Sequence, residues 1–132
     1  MAGNPGSETL RSWGLTLLRV VIGIVFVAHG GQKLFVMGFH NVAGFLQSLG
    51  VPQPNVAAVV LTMAEGLGGL CLILGILTRY AAFVLAFDMA MAIVLVHGKN
   101  GFFLPDGFEF AMMLLGANLC LVLAGGGALE LV

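Results

Sequence analysis

The residues with most to offer chemically are six ionisable groups set inside otherwise apolar stretches: Arg19, His29, Glu65, Asp88, His97 and Glu109. A charge at the centre of a bilayer costs at least ~2.5–3.5 kcal/mol on insertion scales, so each such group must find a partner or perform a task. Counting about 1.5 Å per residue from the ends of the apolar runs puts Arg19 and Asp88 at the same depth, which predicts an ion pair between them. Glu65 falls about one or two turns further along, within reach of the same arginine or held protonated by desolvation. The network of Arg19, Glu65 and Asp88 then either locks helix register or carries a proton or ligand. A second group, His29, Gln32, Lys33, His97 and Glu109, converges on the opposite ends of the same runs. Histidine beside a carboxylate suits proton handling near neutral pH and hydrogen bonding to a quinone carbonyl. The plainer alternative is a set of residues capping helix ends, where Glu109 in a first turn is favourable on dipole grounds alone.

The elements that must position these groups follow from composition. Of 132 residues, 60% are hydrophobic and only 8% charged, whereas a soluble domain is roughly a quarter charged. A chain this small keeps too many atoms at its surface to hide that much apolar side chain, so lipid is the expected solvent. Four runs, 12–35, 55–77, 80–97 and 107–124, approach the ~20 residues needed to cross ~30 Å of hydrocarbon. The expected fold is all-α, a four-helix transmembrane bundle over residues 12–127, with a polar tail at 1–11 and a short tail at 128–132. Between the first two spans, Phe45, Leu46 and Leu49 recur at helical spacing, which predicts a short interfacial helix ended by Gly50 and Pro52. Thr78 and Arg79 make a tight connection that sets the second and third spans antiparallel, and Phe102 and Phe103 in the last loop suit headgroup level.

Several function classes are excluded or disfavoured. A net charge of −1 leaves no basic stripe for nucleic acid. Cys71 and Cys120 lie in separate apolar runs as packing residues, and the two histidines and carboxylate lack the local spacing of a metal site. The start of the chain has no basic region ahead of the first run, which is therefore read as a retained span, and no lipidation motif is visible. Small residues such as Ala64 and Gly68, or Gly116, Cys120 and Ala124, suit close helix packing better than a cofactor loop. An even number of spans puts both termini on one side, and Arg11, Arg19 and Arg79 there against Lys33 and Lys99 opposite favour cytoplasmic termini.

Two motifs occur in order. One is the run His29, Gly30, Gln32, Lys33, Leu34, Phe35; the other is Glu65, Gly68, Gly69 followed by Leu77, Thr78, Arg79. With these, the chain from Leu15 to Gly127 resembles the DoxX family of bacterial membrane proteins, although its Gly-Gly-Gly-Ala-Leu-Glu ending departs from the family's usual tail. The resemblance implies a four-helix inner-membrane protein associated with oxidoreductase assemblies, including thiosulfate:quinone oxidoreductase and a thiol-stress complex. The expected function is a membrane subunit that anchors a redox partner and offers a quinone or proton site, non-catalytic or quinone-facing in itself. The alternative is a structural or small-solute membrane protein, working as a homo-oligomer if it transports, with a buried ion-pair network.

Overall fold

The computed structural model describes residues 5–131. It contains helices α1 (Pro5–Gly31), α2 (Gly38–Ser48), α3 (Pro54–Leu74), α4 (Thr78–Ala92) and α5 (Glu109–Ala124). At the same end of the molecule α1 and α4 loosen into wide, π-helical turns, Gln32–Met37 and Ile93–His97. The all-α, four-helix architecture expected from the sequence is the one observed: α1, α3, α4 and α5 form the bundle, and the short α2 packs against α3.

Three helical stretches, Pro5–Ser48, Pro54–Leu74 and Thr78–Asn100, are long and apolar enough to cross a membrane. The fourth bundle helix, α5, is apolar but has 16 residues, about 24 Å of rise. Large apolar side chains face outward along the bundle: Val21, Ile24, Val59, Leu67, Phe83 and Leu123 are all exposed. A water-soluble protein does not present so continuous an apolar exterior, and a lipid-embedded one requires it. The protein is a multi-span membrane protein.

Element boundaries differ from expectation for identifiable reasons. Residues 1–4 of the expected polar tail lie outside the described residues, and α1 already begins at Pro5 rather than near Ser12. Proline at the first helical position, Glu8 in the first turn and a Glu8–Arg11 contact of 3.6 Å all favour a helix start there. The connection expected at Thr78 and Arg79 falls instead at residues 75–77. Gly75, at φ +75°, ends α3 while its N–H and that of Ile76 bond to Cys71 O at 2.8 and 2.9 Å. The expected interfacial helix is α2, but it is tied into the bundle: Val42, Ala43 and Leu46 are buried against Ala58 of α3.

The core holds Phe26, Leu72, Leu85 and Leu121, all fully buried. The antiparallel α1 and α3 touch backbone to backbone. A Cβ on Gly23 would stand 2.6 Å from Gly69 O, and one on Gly30 would stand 2.6 Å from Gly66 N. Glycine at these positions therefore sets the separation of two spans, the role that small residues play where lipid supplies no hydrophobic drive between helices. The small residues singled out on α5, Gly116, Cys120 and Ala124, instead face outward, and Cys71 is half-buried.

Candidate functional site

Two charged centres lie inside the bundle, at opposite ends. The first is Arg19, which is 1% exposed. Its Nη1 donates to Leu72 O at 2.7 Å and Ile73 O at 3.2 Å, its Nε to Gly126 O at 3.1 Å, and its Nη2 to Ala128 O at 3.1 Å and Leu129 O at 3.4 Å. Leu72 and Ile73 belong to the last turn of α3, whose carbonyls have no partner within the helix. Arg19 therefore caps the negative end of α3 and pins the C-terminal segment to it. Ala128 N–H donates to Ser12 O and accepts Thr16 Oγ1–H at its carbonyl, and Leu131 N–H donates to Gly75 O. Of the residues read as a short C-terminal tail, 128–131 are thus tied to the bundle by hydrogen bonds, and Val132 lies outside the described residues.

This geometry corrects the expected Arg19–Glu65–Asp88 network. The expectation counted carboxylates and overlooked carbonyls: five backbone oxygens satisfy the guanidinium without any acidic partner. Glu65, 3% exposed, pairs instead with Lys33, whose Nζ stands 2.6 Å from Glu65 Oε1. The Gly30–Gly66 approach explains the choice, because Lys33 is one turn past Gly30 and Glu65 adjoins Gly66.

Asp88 completes the second centre from α4. It interacts with the Glu65 carboxyl and, through space, with Lys33, and its buried Oδ2 has no hydrogen-bond partner. Glu65 and Asp88 stand at nearly equal spacing on either side of the 75–77 turn, so an antiparallel hairpin brings them level. That symmetry was present in the sequence and was missed.

The three groups form one wall of a cavity of about 700 Å³. Most of the remaining wall is apolar, with Phe26, Met37, Phe45, Leu61, Phe87, Phe110 and Leu114 among its residues. His29 and His97 also border it. His29 Nδ1 donates to Val25 O at 2.7 Å and its ring stacks on Phe110 at 6.2 Å between centroids. His97 Nδ1 donates to Asp106 O at 3.2 Å. A carbonyl can only accept, so each Nδ1 carries the proton and Nε2 is left as the basic nitrogen.

Of the outer cluster expected from the sequence, the cavity thus gathers His29, Lys33 and His97 but neither Gln32 nor Glu109. Gln32 is exposed. Glu109 accepts Leu104 N–H at 2.5 Å, which holds the 101–108 loop over the start of α5. Leu104, Pro105 and Gly107 of that loop close one side of the cavity. Gly107 fits only without a side chain, since a Cβ there would stand 2.3 Å from Phe103 O. Sequence reasoning had no access to the cavity itself. It lies where both π-helical segments widen α1 and α4, and Lys33 and His97 sit on those segments, a feature often found at functional sites. Among the described residues no group of three or more His, Cys, Asp or Glu side chains is arranged to hold a metal ion.

The family model described as DoxX matches residues 14–98. An uncharacterized protein of Haemophilus influenzae is 35% identical, over 94% of this chain and 92% of its own length. A Bacillus subtilis relative, named "Putative oxidoreductase CatD", is 32% identical over 82% of this chain and 78% of its own. The inner membrane protein YphA of Escherichia coli is 28% identical over 89% and 86%. No solved structure matches the chain.

Proposed function

The chain belongs to the DoxX family of membrane proteins, and on that premise we propose that it is the integral membrane subunit of an oxidoreductase-type assembly, anchoring a redox partner and holding a quinone head group. The observation that carries this reading is the cavity of about 700 Å³ whose apolar walls end on Lys33, Glu65 and Asp88. A quinone is an apolar ring with carbonyl oxygens at opposite edges, and it supplies two-electron, two-proton redox chemistry when bound.

The residues present fit such a group. Phe26, Phe87 and Phe110 offer ring-sized apolar contact, the Lys33 ammonium can donate to a carbonyl, and the unpartnered Asp88 Oδ2 can accept from a hydroxyl. Lys33 orients Glu65 through the 2.6 Å pair, so the carboxyl nearest Asp88 is held in place before anything binds. His29 and His97 border the same cavity, each with Nδ1 donating to a backbone carbonyl and Nε2 as the nitrogen that can accept a hydrogen bond. The oxidoreductase name of the Bacillus subtilis relative supports the redox assignment.

The same reading places the protein in the bacterial cytoplasmic membrane with cytoplasmic termini. The inner-membrane name of the Escherichia coli relative supports the first point. With Arg19 and Lys33 both engaged inside the bundle, Arg11 and Arg79 remain on the terminal side against Lys99 opposite, which supports the second.

Purification from the native membrane in mild detergent, followed by mass spectrometry for co-purifying proteins and extracted quinone, tests the proposal. A stoichiometric redox partner or quinone is the expected result. A clean homo-oligomer carrying neither would overturn it and leave a structural or small-solute role.

A further inference from the structure

A second pocket, of about 320 Å³, lies at the other end of the bundle, where the turn at 75–77 meets the C-terminal segment. It is bordered by Thr78, Arg79 and Tyr80, the first residues of α4, and by the glycines at 125–127 and Glu130. Thr78 is 1% exposed, yet its Oγ1 has no hydrogen-bond partner. Arg79 forms no ion pair: among the described residues the two salt bridges are Glu8–Arg11 and Lys33–Glu65. Its guanidinium lies over Gly125, where a Cβ would stand 3.2 Å from Nη2. The 15-residue α4 brings its free first-turn N–H groups and the positive end of its dipole to the same place.

The one carboxylate bordering this pocket is already engaged. Glu130 Oε1 accepts Gly126 N–H at 2.9 Å. Among the described residues neither Arg79 nor the Thr78 hydroxyl is paired with an acidic group.

We propose that this pocket binds a phosphate-ester anion, supplied by the phosphodiester headgroup of an anionic phospholipid. A guanidinium fork matches two phosphate oxygens, a hydroxyl donates to a third, and helix N–H groups favour the same charge. The location fits a headgroup: α4 is a spanning helix, and Tyr80, 75% exposed, stands at its first turn, where interfacial aromatic residues anchor spans. The site is independent of the quinone reading, since it lies at the opposite end and shares no lining residue with the larger cavity.

The test uses the full chain in zwitterionic detergent, titrated with phosphatidylglycerol and, separately, with inorganic phosphate. Native mass spectrometry reads lipid retention, and thermal unfolding reads stabilisation by either probe. Wild type is expected to retain one phosphatidylglycerol per chain, with retention falling by about tenfold in Arg79→Gln, by less in Arg79→Lys, which keeps the charge but loses the fork, and by about threefold in Thr78→Val. Arg79 is exposed, so the unliganded melting temperature of Arg79→Gln should match wild type and separate lost binding from lost folding. Stabilisation of wild type but not Arg79→Gln by phosphate alone, without lipid retention, would keep the anion site and make the soluble ion its ligand. Equal retention by wild type and Arg79→Gln, or no response to either probe, would overturn the proposal.

Discussion

The two charged centres inside the bundle are built on opposite principles. Arg19 is enclosed and satisfied: every oxygen it reaches is a backbone carbonyl, and those carbonyls come from the end of α3 and from the last described residues of the chain. Lys33, Glu65 and Asp88 border open space, and one Asp88 oxygen is unpartnered. A buried charge with every valence filled does nothing further, and its removal exposes several acceptors at once. A buried charge held short of full satisfaction is available to a ligand. The same kind of residue in the same bilayer thus serves architecture at one end and chemistry at the other, and the difference is read from partners rather than from depth.

The comparison can be broken most severely at the closed end. Arg19→Met should lower stability by about 3 kcal/mol or more, because the carbonyls it served are stranded together. Thermal unfolding in detergent would measure this. Deleting the residues after Gly125 should produce much of the same loss, and combining the two changes should add little, since they remove one interaction from both sides. If the two losses simply add, the arginine is not the anchor of the segment.

The glycine contact links the two centres to one helix pair. Gly30→Leu should push α1 from α3 and destabilise by about 1–3 kcal/mol, as overpacking does. It should also separate Lys33 from Glu65, so that quinone retention falls along with the melting temperature. At the open end the two readouts should come apart. Asp88→Asn keeps shape and is expected to leave folding within about 1 kcal/mol of wild type while retained quinone falls about tenfold, measured by extraction and chromatography. Loss of folded protein in step with quinone would make this end architectural too. The smallest effect is expected at Glu109→Gln, about 0.5–1 kcal/mol from a weakened hydrogen bond to Leu104 N–H, with quinone retention unchanged because Glu109 does not border the cavity.

Much of this molecule was legible before any coordinates. Apolar runs of spanning length announce themselves because lipid removes the alternation that hides helices in soluble proteins. For the same reason Arg19, Glu65 and Asp88 stood out as residues needing an explanation. Their partners were not legible. Arg19 found carbonyls on α3 and beyond α5, separated from it by more than fifty residues of sequence, and nothing in residue type reveals which carbonyls a fold leaves free. Lys33, His97 and His29 border one cavity, whereas Glu109, set among them on sequence position alone, does not. The turn of a π-helical segment and the fold of the 101–108 loop decided that Lys33 and His97 border the cavity while Glu109 holds the loop. Small residues were easy to notice and hard to rank: those on α5 face outward, whereas Gly23, Gly30, Gly66 and Gly69 make the close contact.

The carbonyl cradle around Arg19 has a consequence for the order in which the protein is made. α1 leaves the ribosome well before the carbonyls of Gly126, Ala128 and Leu129, which lie more than a hundred residues downstream of Arg19. Until those carbonyls are made, the first span must sit in or beside the membrane with its arginine uncovered, a penalty of about 2.5–3.5 kcal/mol at the centre of a helix. Insertion of that span is therefore provisional until the segment after α5 is made, and the carbonyls of Gly126, Ala128 and Leu129 act as the latch that makes it permanent.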